Sequence, residues 1–281
     1  MQQIDPGFLR PVLKPRPEES HKGDYGHLLV VAGCEAMPGA AVLATGAALK
    51  SGCGLVTLHS TPRALQSAAV NFPSAMLSED PGTCFSLAPE RLDRFDAIAV
   101  GPGLGRQPQT AGALGKLLRE ASALGIPMVL DADALNILSA NPKLLDAIPA
   151  GSVLTPHAGE LQRLVGFDTP EEKESGIRGL CRRTDCVVVS KGFHTGIYTT
   201  EGETLVNTTG GPGLAKGGSG DVLTGLTGGL LARGYSARDA AALGVWIHGF
   251  AGDFMTERCT AEAWNSRDLI EVLYQGFKAL D

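Results

Sequence analysis

The segment NTTGGPGLAKGGSGDVLTGLTGGLLARG, residues 207–234, is the most informative part of the sequence. Its glycine-rich turn leads into a run of small and apolar residues that predicts a helix over 221–233. A glycine-dense turn before a helix exposes several backbone N–H groups, and the positive end of the helix dipole lies behind them. This arrangement favours phosphate binding, and it indicates an α/β enzyme that handles a nucleotide or another phosphate compound.

Asp221 stands where this helix is predicted to begin. A carboxylate at that position would lie beside a bound phosphoryl group and could accept a proton from a substrate hydroxyl. The alternative is an N-cap that only satisfies the first amides of the helix. Gly225, Gly228 and Gly229 favour the functional interpretation, because so many small residues allow close approach of a neighbouring group.

Outward from this segment, short β-branched runs alternate with helical segments. This pattern predicts an α/β three-layer sandwich in which helices cover both faces of a mainly parallel sheet. We expect residues 1–20, which contain four prolines, to form an extended arm, and residues 21–281 to form a single domain. The predicted strands are 28–32, 55–60, 96–101, 127–132, 152–155, 186–191 and 195–200, and the predicted helices are 40–50, 108–124, 159–166, 171–183, 221–233, 237–256 and 267–278.

Composition and charge limit the possible functions. The 281 residues are 43% hydrophobic, and 24 basic residues against 30 acidic ones give a net charge of −6. These values exclude a largely disordered chain and argue against nucleic-acid binding. The six cysteines form no C-x-x-C pair and are expected to be reduced and buried. Because the sequence shows neither a signal peptide nor a membrane-spanning apolar run, we expect a cytoplasmic protein without a membrane partner.

Three further motifs follow predicted strands, at the edge where open α/β sheets bind ligands. LTPHAGEL places His157 and Glu160 there, SKGFHTGIY places Lys191 there, and GPGLG forms a glycine turn at 101–105. Each has a simpler explanation: a helix cap for the histidine, a solvated surface position for the lysine, and an ordinary turn for the glycines. Their common location after strands favours a ligand-binding role.

Other polar motifs are less decisive. LDADALN places Asp131 and Asp133 after a strand, where they could form a polar wall of the site or simply cap the next helix. HKGDYG at 21–26 precedes the first predicted strand and is expected to order a loop near the cleft. His248 and Asp253 lie five residues apart on a predicted helix, so packing is at least as good an explanation for them as catalysis.

The sequence resembles the ADP-dependent (S)-NAD(P)H-hydrate dehydratases, a branch of the ribokinase-like superfamily, from about His21 to Gly276. The resemblance implies a ribokinase-like three-layer sandwich. The motifs that carry it occur in the order of the family: HKGDYGHLLVVAG (21–33), PGAAVLATGAALKSGCGLVTL (38–58), GPGLG (101–105), LDADALN (130–136), LTPHAGEL (154–161), SKGFHTGIY (190–198) and GGSGDVLTG (217–225).

The resemblance implies a metabolite-repair reaction. Members of the family use a nucleotide to remove water from the S form of hydrated NADH or NADPH (NADHX or NADPHX), and ADP becomes AMP and phosphate. Hydroxide is a poor leaving group and phosphate a good one, so the ring hydroxyl is phosphorylated and phosphate is then eliminated with help from the ring nitrogen. The implied co-substrate is ADP, with ATP as an alternative donor, and the implied cofactor is Mg²⁺.

The resemblance also implies roles for individual residues. Asp221 is the implied catalytic base, the amides of Gly218, Ser219 and Gly220 form the implied anion hole, and Glu160 is an implied Mg²⁺ ligand, directly or through water. The implied substrate contacts are Ala40, Gly103, His157 and Asp221, and the implied nucleotide contacts are Lys191, Gly192, Phe193, His194, Thr195 and Gly220.

Some residues depart from the usual pattern of the family. An asparagine is common near Gly211, threonine is usual where Ser219 stands, and Lys216 would add a positive charge beside the anion hole, where it could alter phosphate affinity. The family also implies a homo-oligomer such as a tetramer. Because about twenty residues precede the first motif, we expect no epimerase domain in this chain and cooperation with a separate NAD(P)HX epimerase.

Two other functions stay open at this point. The first is a ribokinase-like kinase that phosphorylates a pyrimidine or a vitamin alcohol, which the HKGD, GPGLG and TPHAGE motifs argue against. The second is a catalytically silent nucleotide-binding protein, which the presence of Asp221 among its glycines argues against. The sequence leaves open the choice between ADP and ATP and between NADHX and NADPHX.

Overall fold

The computed structural model describes every residue from Met1 to Asp281 and contains one ten-stranded sheet. The strands are β1 (Gln2–Ile4), β2 (His27–Val31), β3 (Leu55–Ser60), β4 (Met76–Glu79), β5 (Ala97–Val100), β6 (Met128–Leu130), β7 (Val153–Leu154), β8 (Val187–Ser190), β9 (Thr195–Tyr198) and β10 (Thr204–Asn207). Their order across the sheet is β1-β10-β9-β8-β7-β6-β5-β2-β3-β4. In this order across the sheet, the seven strands β8, β7, β6, β5, β2, β3 and β4 are parallel to one another, and β9 is antiparallel to both of its neighbours.

Helices flank the sheet. They are α1 (Pro6–Leu9), α2 (Pro38–Lys50), α3 (Pro62–Asn71), α4 (Pro108–Leu124), α5 (Ala132–Ala140), α6 (Ala158–Val165), α7 (Pro170–Thr184), α8 (Ser219–Ala232), α9 (Ala237–Cys259) and α10 (Ser266–Leu280). None of them is both long and apolar enough to cross a membrane.

Two apolar cores lie on opposite faces of the sheet. Leu28 and Val30 of β2 contribute to the core beneath α2, α8, α9 and α10, whereas Leu29 and Val31 contribute to the core beneath α4, α5, α6 and α7. Successive side chains of a strand point to opposite faces, so a strand that is apolar throughout must be covered on both. The predicted α/β sandwich is therefore confirmed.

All seven predicted strands and all seven predicted helices are present, with ends that differ by only a few residues. The structure adds six elements that no local pattern predicted: β1, β4, β10, α1, α3 and α5. Strand β4 reads MLSE and is mostly exposed at the edge of the sheet, so it carries no continuous apolar run. Short edge strands of this kind depend on the neighbouring strand for their conformation, which local sequence does not reveal.

The N-terminal segment differs from the predicted extended arm over residues 1–20. Gln2–Ile4 pairs in parallel with β10, and α1 follows directly. Ile4 and Leu9 are fully buried in the first core. The start of the chain is thus an integral part of the sheet and the core, because two apolar side chains anchor it there.

Candidate active site

The predicted site residues come together at the carboxyl edge of the parallel strands. The loops that follow β5, β6, β7 and β8 start at this edge, and the first turn of α8 lies against them. A Cβ atom placed on Gly220 would lie 3.3 Å from Asp131 Oδ2 and 3.3 Å from Lys191 Nζ. Three segments that are distant in sequence therefore meet around the glycine-rich turn.

The first turn of α8 carries the proposed anion hole. Gly218 precedes the helix with a φ of +87°, a left-handed conformation that glycine adopts readily. The helix begins at Ser219, so Asp221 lies within the first turn and not at the predicted helix start. The Ser219 amide donates to the Lys216 carbonyl oxygen at 3.3 Å, whereas the amides of Gly218 and Gly220 donate to no protein acceptor. These two amides are available to an anion, as is the amide of Asp221, which also donates to no protein acceptor.

Asp221 is half-buried beside this turn. Burial raises the pKa of its carboxyl group to about 7, and the nearby charge of Asp131 acts in the same direction, while Lys191 acts against it. A carboxyl group with a pKa near neutrality is well suited to accept a proton at physiological pH. The structure therefore gives Asp221 the property that a general base requires.

A buried carboxylate connects the parts of the site. Asp131, which is only 2% exposed, accepts a hydrogen bond from Lys191 Nζ at 2.8 Å and another from Thr224 Oγ1 at 2.8 Å. The first bond ties the end of β6 to the end of β8, and the second ties both to α8. Lys191 is thus a partly buried, ion-paired residue beside Gly220, and not a solvated surface lysine.

The sequence allows Asp131 to be either a polar wall of the site or a helix cap. It occupies the N-cap position of α5, but its side chain makes no capping hydrogen bond there. Ala132 follows it with a φ of +47°, and such strained backbone is often found at functional sites. The position after an apolar strand was the only sequence signal for Asp131, and Thr224 gave no signal at all, because threonines are ordinary in helices.

His157 and Glu160 form a reciprocal cap at the start of α6. His157 Nδ1 accepts hydrogen bonds from the amides of Gly159 and Glu160, at 3.0 Å and 3.3 Å, and Glu160 Oε2 accepts one from the His157 amide at 2.9 Å. The helix-cap explanation for His157 is therefore realised in the structure. Its side chain is still 55% exposed and can also contact a ligand. The same loop reaches the end of β8, because the Lys191 amide donates to the Pro156 carbonyl oxygen.

Ala40 and Gly103, two of the predicted substrate contacts, touch each other. Gly103 has a φ of +63°, and a Cβ atom added to it would lie 2.7 Å from the Cβ of Ala40. Asp133 fixes the same glycine turn, because its Oδ2 accepts a hydrogen bond from the Gly105 amide at 2.9 Å. Small residues from two elements thus form one wall of the cleft.

The predicted nucleotide segment forms the turn between β8 and β9. Thr195 donates its hydroxyl proton to the Gly192 carbonyl oxygen at 3.2 Å, which closes the turn. Phe193 is 78% exposed, and its ring packs edge-on against His194 at a centroid distance of 4.4 Å. An exposed aromatic pair two residues from Lys191 is available for contact with a flat ligand group.

Two side chains of α9 hold the glycine-rich loop in place. His248 Nε2 lies 2.9 Å from the Ser219 carbonyl oxygen and 3.2 Å from its hydroxyl, and burial lowers the pKa of this imidazole to about 4, so it is neutral. Asp253 Oδ2 accepts a hydrogen bond from the Gly210 amide at 2.8 Å. Both residues hold the loop, a role that their spacing on α9 did not reveal.

Two expectations about location are corrected. Lys216 does not direct its charge at the anion hole: its ammonium group donates to the carbonyl oxygens of Ala261 and Trp264 and lies 4.3 Å from the Trp264 ring centroid. The HKGDYG motif at 21–26 does not lie near the cleft. It precedes the amino end of β2, and the amino ends of the parallel strands lie at the edge of the sheet opposite the site. Asp24 and His21 close a short helical turn there.

Comparisons with known proteins identify the family of this chain. Residues 28–275 match the family model described as NAD(P)H-hydrate dehydratase. The chain is 40% identical to the ADP-dependent (S)-NAD(P)H-hydrate dehydratase of Neisseria meningitidis over 252 residues, which are 88% of this chain and 82% of that protein. It is 39% identical to the bifunctional NAD(P)H-hydrate repair enzyme of Moorella thermoacetica over 278 residues, which are 95% of this chain and 52% of that protein. The chain thus spans about half the length of several bifunctional relatives.

Solved structures show the same fold. The ADP/ATP-dependent NAD(P)H-hydrate dehydratase of Bacillus subtilis, co-crystallised with ATP and Mg²⁺, aligns with a TM-score of 0.85 at 28% identity and covers 100% of this chain and 99% of that one. A ribokinase-like superfamily protein of Enterococcus faecalis aligns with a TM-score of 0.84 at 25% identity, over 99% of this chain and 96% of that one. With the family model matched over most of its length, the chain belongs to the NAD(P)H-hydrate dehydratase family and has its ribokinase-like fold.

Proposed function

We propose that this protein dehydrates the S form of NADHX and NADPHX to NADH and NADPH, with conversion of ADP to AMP and phosphate. The observation that carries the proposal is Asp221, whose pKa is raised to about 7 in the same helical turn as the free amides of Gly218 and Gly220. A base and an anion site in one turn can act on a hydroxyl group and a phosphoryl group at the same time.

In the proposed reaction, Asp221 accepts the proton of the ring hydroxyl while the hydroxyl oxygen attacks the terminal phosphorus of ADP. The bond between that phosphorus and AMP breaks, and AMP leaves. The amides of Gly218 and Gly220 stabilise the charge on the transferred phosphoryl group. The ring nitrogen then donates its lone pair, the carbon–oxygen bond breaks, phosphate leaves, and loss of a ring proton gives the reduced nicotinamide.

The remaining predicted contacts divide into two groups in this proposal. Ala40, Gly103 and the exposed face of His157 contact the hydrated ring. Lys191 supplies a positive charge to the nucleotide phosphates, and the turn that follows it, residues 192–195, contacts the rest of the nucleotide. Ser219, the third predicted member of the anion site, supports the turn in this proposal, because its amide donates to the Lys216 carbonyl oxygen and its hydroxyl lies 3.2 Å from His248 Nε2.

Mg²⁺ would accompany the nucleotide and neutralise its phosphate charge. Glu160 fits a water-mediated contact with the ion better than a direct one, since one of its carboxylate oxygens accepts from the His157 amide and the other lies 3.3 Å from His157 Nε2. Mg²⁺ normally keeps several waters and contacts phosphates and one or two carboxylates. Glu160 would then orient a water of the ion.

The cellular setting is part of the same proposal. All six cysteines are free, as is usual in a reducing compartment, and this supports a cytoplasmic location. We further propose a homo-oligomer, such as a tetramer, and cooperation with an epimerase that supplies the S form. Relatives that are described as bifunctional repair enzymes support the second point. Light scattering on the purified protein would test the first.

The experiment is an assay of purified protein with hydrated NADH, Mg²⁺ and either ADP or ATP, in which the absorbance of the dihydronicotinamide ring is followed. Recovery that depends on ADP is the expected result, and the comparison of the two nucleotides identifies the phosphoryl donor. Folded protein that binds ADP but restores no absorbance with either nucleotide would contradict the proposal. It would favour a small-molecule kinase, the alternative from the sequence.

A further inference from the structure

A second cleft lies at the other end of α8. The helix has 14 residues, so about 20 Å separate its two ends at a rise of 1.5 Å per residue. The cleft has a volume of about 660 Å³, which is within the usual range for small-molecule sites. Its walls are the segment from Arg10 to Arg16 and the carboxyl ends of α2, α8 and α10. It is separate from every residue of the candidate active site.

Unpaired cations concentrate in this cleft. Arg10, Lys14, Arg16 and Arg233 line it, and none of them forms an ion pair with a carboxylate. Lys50, the fifth cation, pairs with Glu271 outside the lining. Asp281 is the single acidic residue in the lining. In a chain of net charge −6, this excess of positive charge is a local feature that requires an explanation.

Neutralisation of helix ends is a partial explanation. Each of the four cations donates one hydrogen bond to a main-chain carbonyl group near the end of a helix, where a positive charge is favourable. A guanidinium group has five N–H donors and an ammonium group has three, so most of their donors stay free. The pairs are Arg10 with Ala279, Lys14 with Gly234, Arg16 with Gly52 and Arg233 with Ser51.

Two tyrosine rings hold three of the four cations in place. The Arg16 guanidinium lies 3.7 Å from the ring centroid of Tyr25, and Arg233 lies 5.9 Å from the same ring and 5.3 Å from that of Tyr235. Lys14 lies 5.0 Å from the Tyr235 ring, and its amide donates to the Tyr235 hydroxyl. Cations that are fixed before binding lose less conformational entropy when a ligand arrives. Tyr25 belongs to the HKGDYG motif, for which the proposed function has no use.

We propose that this cleft is a second binding site, and that it takes a compact ligand with several phosphate groups, such as a nucleoside diphosphate or an inorganic polyphosphate. Fixed arginines with free donors match phosphate oxygens in geometry and in charge. The volume accommodates a nucleotide. The site is independent of the dehydration chemistry, because it shares no residue with the carboxyl edge of the sheet.

The test is a titration of the whole protein with tripolyphosphate, followed by the amide NMR signals of Gly52, Gly234 and Gly220. We expect saturable shifts at Gly52 and Gly234, and at least a tenfold loss of affinity at these two signals in the variant R16Q/R233Q. The Gly220 signal reports the candidate active site separately. Unchanged affinity at Gly52 and Gly234 in that variant, or no shift at them in the wild type, would overturn the proposal.

Two further variants keep the test decisive. R119Q/R182Q removes the same charge from exposed positions on α4 and α7, and it should leave the affinity at Gly52 unchanged. If R16Q/R233Q does not fold, R10Q/K14Q removes two exposed cations from the same cleft.

A parallel titration with ADP identifies the source of the phosphates, because shifts with ADP indicate a nucleotide and shifts with tripolyphosphate alone indicate a polyphosphate. Failure of the dehydratase assay would leave the Gly52 and Gly234 shifts intact.

Discussion

The first turn of α8 and the remainder of that helix use small residues for different purposes. In the first turn, Gly218 and Gly220 leave their amides free, and the missing side chain of Gly220 keeps space beside Asp131 and Lys191. Further along, a Cβ atom on Gly225 would lie 1.9 Å from the Ala44 carbonyl oxygen of α2, so this glycine exists for close packing. The comparison shows that one glycine-rich segment contains a chemical part and a structural part.

The two parts are nevertheless connected through α2. The packing of α8 against Ala44 sets the position of α2, and Ala40, one turn earlier on α2, contacts Gly103. The distance between the proposed substrate wall and Asp221 therefore depends on contacts that carry no chemistry. Variants in the first turn should change turnover without loss of stability, whereas variants in the body of α8 should lower stability first.

The largest effect is expected from D221N. Removal of the base should lower turnover by about a hundredfold or more, the usual scale for a positioned base, while the protein stays folded and its melting temperature at pH 7 is not lower than that of the wild type, because a buried charge has been removed. Assays of initial rate and circular dichroism measure both. D146N, which removes a carboxylate from an exposed ion pair with Arg183, is the matched control and should keep full activity. Wild-type turnover in D221N would refute the assignment.

The G225A substitution should weaken the packing of α8 against α2 and so lower the stability of the fold. Its new methyl group would collide with the Ala44 carbonyl oxygen, so α2 and α8 must separate, at a cost of about 1–3 kcal/mol in the free energy of unfolding. G179A on α7 is the control, because its Cβ meets open space and should stabilise the helix by about 0.5–1 kcal/mol. Urea denaturation measures both changes. Equal stability of G225A and the wild type would contradict the packing described for α8.

The K191A substitution tests the contact between the first turn of α8 and the end of β8. Loss of the ammonium group should weaken ADP binding by about tenfold, the scale of one charge-assisted hydrogen bond. The variant also leaves Asp131 with Thr224 as its remaining side-chain partner, so a lower melting temperature is expected as well. Calorimetric titration with ADP measures the affinity, and R119A on α4 is the control. Unchanged ADP affinity would return Lys191 to a purely structural role.

The pH dependence of activity and of stability should distinguish the first turn of α8 from the body of the helix. Because the pKa of Asp221 is raised to about 7, the reactive carboxylate form is lost as the pH falls, and kcat/KM should drop about tenfold between pH 8 and pH 6. The sign for stability is opposite. A carboxyl group with a raised pKa in the folded state destabilises the fold as the pH rises from about 4 through about 7. D221N should therefore be more stable than the wild type above pH 7, and G225A should show no such pH-dependent difference.

Local patterns made much of the fold and part of the site predictable. Apolar strands, helix segments and glycine turns are encoded by neighbouring residues, so the sheet, the Gly218–Asp221 turn and the strand-end position of Lys191 could be inferred. The hydrogen bond from Thr224 to Asp131 joins residues that are 93 positions apart, and no periodic pattern in the sequence predicts such a contact. The N-terminal strand was missed for the same reason, since β1 exists only through its pairing with β10.

Lys216 provides the smallest and most discriminating test. Lys216 lies three positions before Ser219, so the sequence predicts that its charge belongs to the anion hole, yet its ammonium group donates to two carbonyl oxygens in the loop between α9 and α10. K216M should therefore change ADP affinity by less than about twofold while it lowers the free energy of unfolding by about 1 kcal/mol, because those buried carbonyl groups lose a donor. Calorimetric titration and urea denaturation separate the two effects. A tenfold loss of ADP affinity at unchanged stability would place Lys216 in the chemical part of the segment, and the boundary between the two parts would move toward Gly213.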